Sequence, residues 1–176
     1  RTNILDGSVI PVECGISTQC IGVENVLDDI VRYMPTPAGR SISCTNAKTG
    51  DAFEAKFDDA QPKSAFIFKT IVDPFIGRYS LIKVRSGVFK ADETVYDTGL
   101  ESELRLGKLY IMMGNKTSEI AELHAGDIGA VAKLGDAKTG DTLSTKAEPI
   151  KYPMMDISTP YTYIRYNAKN KNDIDK

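Results

Sequence analysis

The stretch Ser64–Ser86 constrains this chain more than any other. Ser64 to Val72 is rich in β-branched and aromatic residues, Asp-Pro-Phe-Ile-Gly at 73–77 supplies turn chemistry, and Arg78 to Ser86 resumes the strand-like character. A long antiparallel hairpin is expected. Phe66, Phe68 and Val72 fall on one face of its first strand and Ile67 and Ile71 on the other, so that strand should bury both sides. Further strands are expected at Thr94–Asp97, Leu104–Met113, Ile128–Leu134 and briefly near Thr142, set apart by turns that carry Gly or Asp. Short strands in this rhythm favour a mainly β fold, a closed antiparallel β-barrel over residues 64–147, rather than an α/β sheet. Gly77, Gly87, Gly107, Gly126, Gly129 and Gly140 read as its turns, bulges and corners.

The flanks read differently. Ser8–Glu13 is a strand candidate through Val9, Ile10 and Val12, broken by Gly15. Val23, Val26, Leu27, Ile30, Val31 and Met34 then recur at helical spacing, and Pro35 and Pro37 stop that helix. These elements make up an N-terminal section, 1–37. Residues 38–63 are polar and turn-rich, a linker with one hairpin anchored by Ala52, Phe53 and Phe57. Its NAKTGDAF stretch is echoed by DAKTGDTL at 136–143, and Lys-Thr-Gly-Asp is good turn chemistry in both places. Residues 148–176 start afresh with Ile150, Met154 and Ile157, then Tyr161, Tyr163, Ile164 and Tyr166. That segment should form a strand that packs on the barrel or pairs with another copy, as a crystal or domain-swapped dimer, because an unpaired apolar edge invites association.

Charge narrows the function. The net charge of -2 speaks against indiscriminate coating of nucleic acid, yet Lys63–Lys90 carries six basic residues against Asp73 alone. Lys83 and Arg85 share a parity on one strand, Lys69 lies on its neighbour, and Arg78 and Lys90 flank turns. These five form a candidate anion-facing patch. No catalytic set is visible. A phosphate-cradling G-x-x-x-x-G-K-[ST] loop is missing, and Asn170-Lys171-Asn172-Asp173 spells a guanine-reading segment only in the polar tail. His124 reads as an exposed loop side chain, and the pairs Asp28-Asp29 and Asp58-Asp59 as solvated carboxylates, so no metal site is expected. Cys14, Cys20 and Cys44 lack C-x-x-C spacing, which suits free thiols in the cytoplasm. No apolar run approaches the roughly 20 residues of a membrane span.

DPFIGR at 73–78, AGDIGAVAKL at 125–134 and DAKTGDTL together resemble the second domain of elongation factor G and its near relatives. VIPVECG and GVENVLDDIVRYMPTP resemble the last strand and helix of that family's GTPase domain, and EPIKYP to ISTPYTYIRYNAKNKNDIDK the opening strand of its third domain. The resemblance implies a fragment whose parent binds GTP with Mg2+ and drives translocation. The fragment itself would hold no cofactor and would not be an enzyme. It would serve as a docking module between the small-subunit ribosomal RNA and the parent's GTPase and third domains, with Lys69, Arg78, Lys83, Arg85 and Lys90 as its candidate contacts to RNA phosphates. Where relatives carry a Gly-Ser-Ala-like turn on the guanine side, this chain has Cys14-Gly15-Ile16-Ser17, a weak remnant of that turn. The equivalent piece of a ribosome-protection or release-factor GTPase fits the same resemblance. A free-standing nucleic-acid-binding barrel would instead expose stacking aromatics beside the basic stripe, whereas Phe66, Phe68 and Phe75 sit in mostly apolar contexts.

Overall fold

The computed structural model describes residues 1–73, 77–114, 116–154, 158–165 and 167, and the chain divides into two compact units, 1–39 and 40–176. In the first unit, α1 (Thr2–Leu5) is a single turn, and Asp6 accepts hydrogen bonds from the Ser8 backbone N–H (2.8 Å) and hydroxyl. Both bonds hold the Asp6 carboxyl below its ordinary range. The expected strand at 8–13 does not form: no strand is assigned there, and Ile10 and Val12 stand exposed. Apolar alternation specifies a strand only when a neighbour accepts its backbone bonds, and no strand is described in 1–39 to do so.

Helix α2 (Val23–Tyr33) forms where the helical spacing places it. Glu24 in its first turn and Arg32 in its last complement the helix dipole. It stops at Met34, which is extended (ψ 143°) ahead of Pro35 as the proline ring requires. No residue of 1–39 is buried. This unit therefore rests on local hydrogen bonds rather than on an apolar core.

The second unit is antiparallel β throughout its described ladders. The hairpin expected within 38–63 is β1 (Ser41–Asn46) and β2 (Ala52–Lys56), with Cys44 opposite Phe53. Asn46 closes its turn by accepting the Lys48 N–H at 2.9 Å, and Gly50 donates to the Asn46 carbonyl at 2.8 Å. The long hairpin is β3 (Ser64–Asp73) and β4 (Gly77–Ser86). After it come β5 (Phe89–Lys90), β6 (Thr94–Asp97), β7 (Ser102–Arg105), β8 (Leu109–Met113), β9 (Lys116–Ile120), β10 (Glu122–Leu123), β11 (Ile128–Ala132), β12 (Thr142–Ser144) and β13 (Ile150–Lys151). The strand expected at 104–113 is thus two, parted at Leu106-Gly107-Lys108.

Eight strands pair in the order β7-β6-β12-β3-β4-β11-β8-β9, and β5 pairs with β10. Among the described residues no ladder joins β7 to β9. The sheet nevertheless wraps one core: Ile67, Ile82, Val84, Phe89, Leu109, Leu123, Val131 and Leu143 are fully buried together. The short β5–β10 ladder, extended by Ala91 N–H to the Ala121 carbonyl at 2.9 Å, stitches the strand connections across that core. Each such side chain contributes about 1.5–3 kcal/mol of burial.

β3 buries both faces over Ser64–Ile67, as its composition anticipates, but beyond the bulge after Ile67 the burial lapses and Val72 is exposed. Ala65 and Ile67 belong to the first core, while Phe66 joins Cys44, Ala55, Ile150 and Tyr152 in a second. That second cluster lies between the long hairpin and a three-stranded sheet, β13-β1-β2. The start of the C-terminal segment therefore packs against the main body through β13 and Tyr152. The strand expected around Tyr161, Tyr163 and Ile164 is not assigned, and these side chains are exposed. Ile157, Tyr166 and the Asn170–Asp173 segment lie outside the described residues.

A hydroxyl relay crosses the seam beside the second cluster. Ser86 donates to the Pro62 carbonyl (2.6 Å), Ser64 and Ser86 hydroxyls lie 2.6 Å apart, and Tyr152 Oη is 2.6 Å from Ser64 Oγ. Each hydroxyl has one hydrogen, so the direction is fixed from Tyr152 to Ser64 to Ser86 to Pro62. Burial raises the Tyr152 phenol well above its ordinary pKa, which keeps the donor protonated.

Candidate nucleic-acid interface

Alternation along β4 turns Ile82, Val84 and Ser86 inward and Leu81, Lys83 and Arg85 outward. For Lys83 and Arg85 outward is not open solvent. The chain leaving β2 brings Phe57 beneath both: Lys83 Nζ is 5.7 Å and the Arg85 guanidinium carbon 5.9 Å from its ring centre. Lys83 Nζ also donates to the Gly126 carbonyl. Burial pulls its pKa down, the neighbouring Arg85 adds to that, and Asp127 opposes both. Arg85 is half-buried, and its Nε has no hydrogen-bond partner among the described residues. The two cations are therefore built into the seam.

Gly87 allows the chain to close over them. Its φ is +69°, and a Cβ there would meet Lys63 Cα at 2.8 Å and the Gln61 carbonyl at 2.9 Å. Only glycine fits this approach, through which Gly87 N–H reaches the Asp58 carbonyl at 3.0 Å.

The other sequence candidates lie apart. Lys69 is exposed on β3, in register with Leu81 and so on the same outward face. Arg78 is at the opposite end of β4 from Arg85, about 23 Å away at strand rise, where it donates to the Gly135 carbonyl. Lys90, exposed on β5, pairs with Glu122 at 3.9 Å. Cys14, Gly15, Ile16 and Ser17 belong to the first unit and are exposed, with Ile16 bridging to Ile21 around a short 3-10 turn, Ser17–Gln19. The structure brings Lys83 and Arg85 together, keeps Lys69 on their face, and separates the rest.

His124 has more to do than its sequence context suggests. Its Nδ1 is 2.7 Å from Asp59 Oδ2, its Nε2 3.4 Å from Glu122 Oε1, and Asp59 Oδ1 accepts the Ala125 N–H at 2.8 Å. The hydrogen bond to Asp59 raises the His124 pKa, aided by the charges of Asp59, Glu122 and Asp127 and opposed by desolvation. Asp59 is lowered, first by the Ala125 N–H and then by His124. This clasp joins two loops 65 positions apart, and no local pattern announces it.

Sequence reasoning also passed over a second group of cations. Arg105, Lys108 and Lys133 border a hollow beside Tyr110. The available signal was the segment ELRLGKLY, where a glycine sits between two basic residues inside an apparent strand. Among the described residues no three His, Cys, Asp or Glu side chains gather as a metal site, and no helix is long and apolar enough to cross a membrane.

Residues 62–146 match the family model of elongation factor G domain 2. The match takes in β3 to β12, every strand of the large sheet and of the β5–β10 ladder, and stops short of β1, β2 and β13.

Proposed function

We propose that this translation elongation factor-like domain seats an elongation-factor-G-type GTPase on the small ribosomal subunit, while nucleotide chemistry resides elsewhere in that factor. One observation carries the reading: the family match coincides with a β body that wraps a single apolar core. A rigid body of this kind holds phosphate-contacting cations in fixed relation, which positions a protein on RNA without reading its sequence. On this reading the full factor is cytoplasmic, binds GTP with Mg2+ and promotes translocation. The chain here is a docking and interdomain piece without GTPase activity, flanked by the GTPase and third domains.

Lys69 is the clean probe. Lys83 and Arg85 rest on Phe57 in the seam, so reversing their charge would disturb packing as well as any RNA contact. The chain is expected to co-sediment with small ribosomal subunits at low salt, with log affinity falling linearly in log salt. Lys69→Glu should weaken that binding and reduce the slope by about 0.7–0.9. Failure to co-sediment at low salt, or specific GTP binding by this chain alone, would replace the reading.

A further inference from the structure

The break between β7 and β8 leaves a hollow. β7 ends at Arg105 and β8 begins at Leu109, and the connection is held against the β5–β6 turn by Leu106 N–H to the Glu93 carbonyl (2.8 Å) and Asp92 N–H to the Gly107 carbonyl (3.3 Å). Across the gap, Lys133 follows β11, its N–H bonded to the Arg78 carbonyl at 3.0 Å. The space between is a hollow of about 320 Å³, at the small end of the range for ligand pockets, roughly 300–1,000 Å³.

Its chemistry has two halves. Arg105, Lys108 and Lys133 outnumber the single acid Asp92 on the rim. Tyr110 and Ala132 supply apolar wall, and the Tyr110 ring is fixed by an edge-to-face contact with buried Tyr79, centroids 5.6 Å apart. The rim cations are available. Arg105–Asp92 (3.7 Å) and Lys108–Glu119 (2.7 Å) are exposed pairs of the kind that contribute little, and among the described residues Lys133 makes no ion pair.

A second, independent observation is backbone strain. Within 40–176 the described non-glycine residues with positive φ are Asp92 (61°), Glu101 (53°) and Lys133 (55°), and two of these three border this hollow. A lysine in the left-handed region is strained where glycine would be relaxed, and such residues gather at ligand sites.

We infer that this hollow binds one nucleotide unit, its phosphate on Arg105, Lys108 and Lys133 and its base against Tyr110. A fixed aromatic ring beside a cationic rim suits a planar base attached to a phosphate, and it suits a bare inorganic anion less well. The unit could belong to a free nucleotide or to single-stranded RNA. The assignment does not depend on ribosome docking.

The test uses the whole 176-residue chain. Binding of a fluorescein-labelled hexanucleotide RNA is followed by anisotropy, and amide shifts at Arg105–Tyr110 and Lys133 are followed on adding the RNA or AMP. Both ligands moving these amides places the site within reach of free nucleotides, and RNA alone moving them assigns it to RNA. Tyr110→Ser should weaken RNA binding by about five- to hundredfold, with Tyr110→Phe restoring it. Lys133→Gly should lower the salt slope by about 0.7 while leaving the melting midpoint unchanged or higher, because the strain is relieved. That opposition of affinity and stability is readable even if Tyr110→Ser does not fold. If neither ligand moves these amides, or Lys133→Gly binds RNA with an unaltered salt slope, the inference is overturned. Loss of ribosome co-sedimentation with pocket-dependent RNA binding retained would remove the docking reading and keep this one.

Discussion

Tyr152 shows how much one hydroxyl can decide. As the donor that starts the relay through Ser64 and Ser86 to the Pro62 carbonyl, it satisfies groups on β3 and β4 from a position after β13. Tyr152→Phe removes the phenol while keeping the ring, whose edge-to-face contact with Phe66 spans 6.3 Å. Ser64 is then left buried without its donor, and unfolding in denaturant should show a loss of about 1–3 kcal/mol. Tyr152→Phe combined with Ser64→Ala should cost less than the sum of the two single changes. None of this was legible in the chain: EPIKYP reads as the opening of a new segment, and Ser64 and Tyr152 are 88 positions apart. The seam cations were only half legible. Their parity on β4 was plain from the sequence, but Phe57, which stacks beneath them, lies in a polar stretch where a lone aromatic looks like a simple hairpin anchor.

Among the elements, the clasp of His124 on Asp59 ties the turn after β2 to the loop between β10 and β11. The folded-state pKa of His124 is raised, so its stabilising contribution is complete below the unfolded value of about 6.5 and is lost as pH rises through the folded value. Asp59 has the opposite sign: lowered in the fold, it stabilises above about pH 4 and loses that contribution only as acid protonates it. The melting midpoint should therefore fall between about pH 6 and pH 8 in the native chain, and His124→Gln should flatten that part of the profile. An equally steep profile in the variant would assign the effect to another group. The strands themselves divide by what specified them. β3 and β4 could be read from the sequence because branched and aromatic side chains fill them on both sides of a turn. β9 and β10 could not, since Lys116–Ile120 is polar and almost wholly exposed and Glu122–Leu123 holds only two residues. Partners supply their strand character. The reverse holds at 8–13, where suitable alternation has no strand partner among the described residues.

For the molecule as a whole, every buried residue lies in 40–176. A chain cut to 40–176 should therefore melt at the same midpoint as the full chain, checked by circular dichroism. A clear drop would show that 1–39 supports the β body. Sequence composition put a linker at 38–63 because apolar residues there are sparse, yet Ile42, Cys44, Phe53 and Ala55 suffice to build a second core once Phe66, Ile150 and Tyr152 are brought to them. Sparse patterning hides a core assembled from three distant segments. The pairing of β13 on β1 has a mechanical consequence. Asn46 faces Ile150 and Thr45 faces Lys151, so the outgoing backbone runs back alongside β1 towards Ser41, and the two ends of this body depart in the same direction. Tension applied across them would peel the rungs apart one after another like a zipper instead of shearing them together. The small sheet would then yield first, as a fuse, and the load would reach β3 and β12 of the large sheet only afterwards.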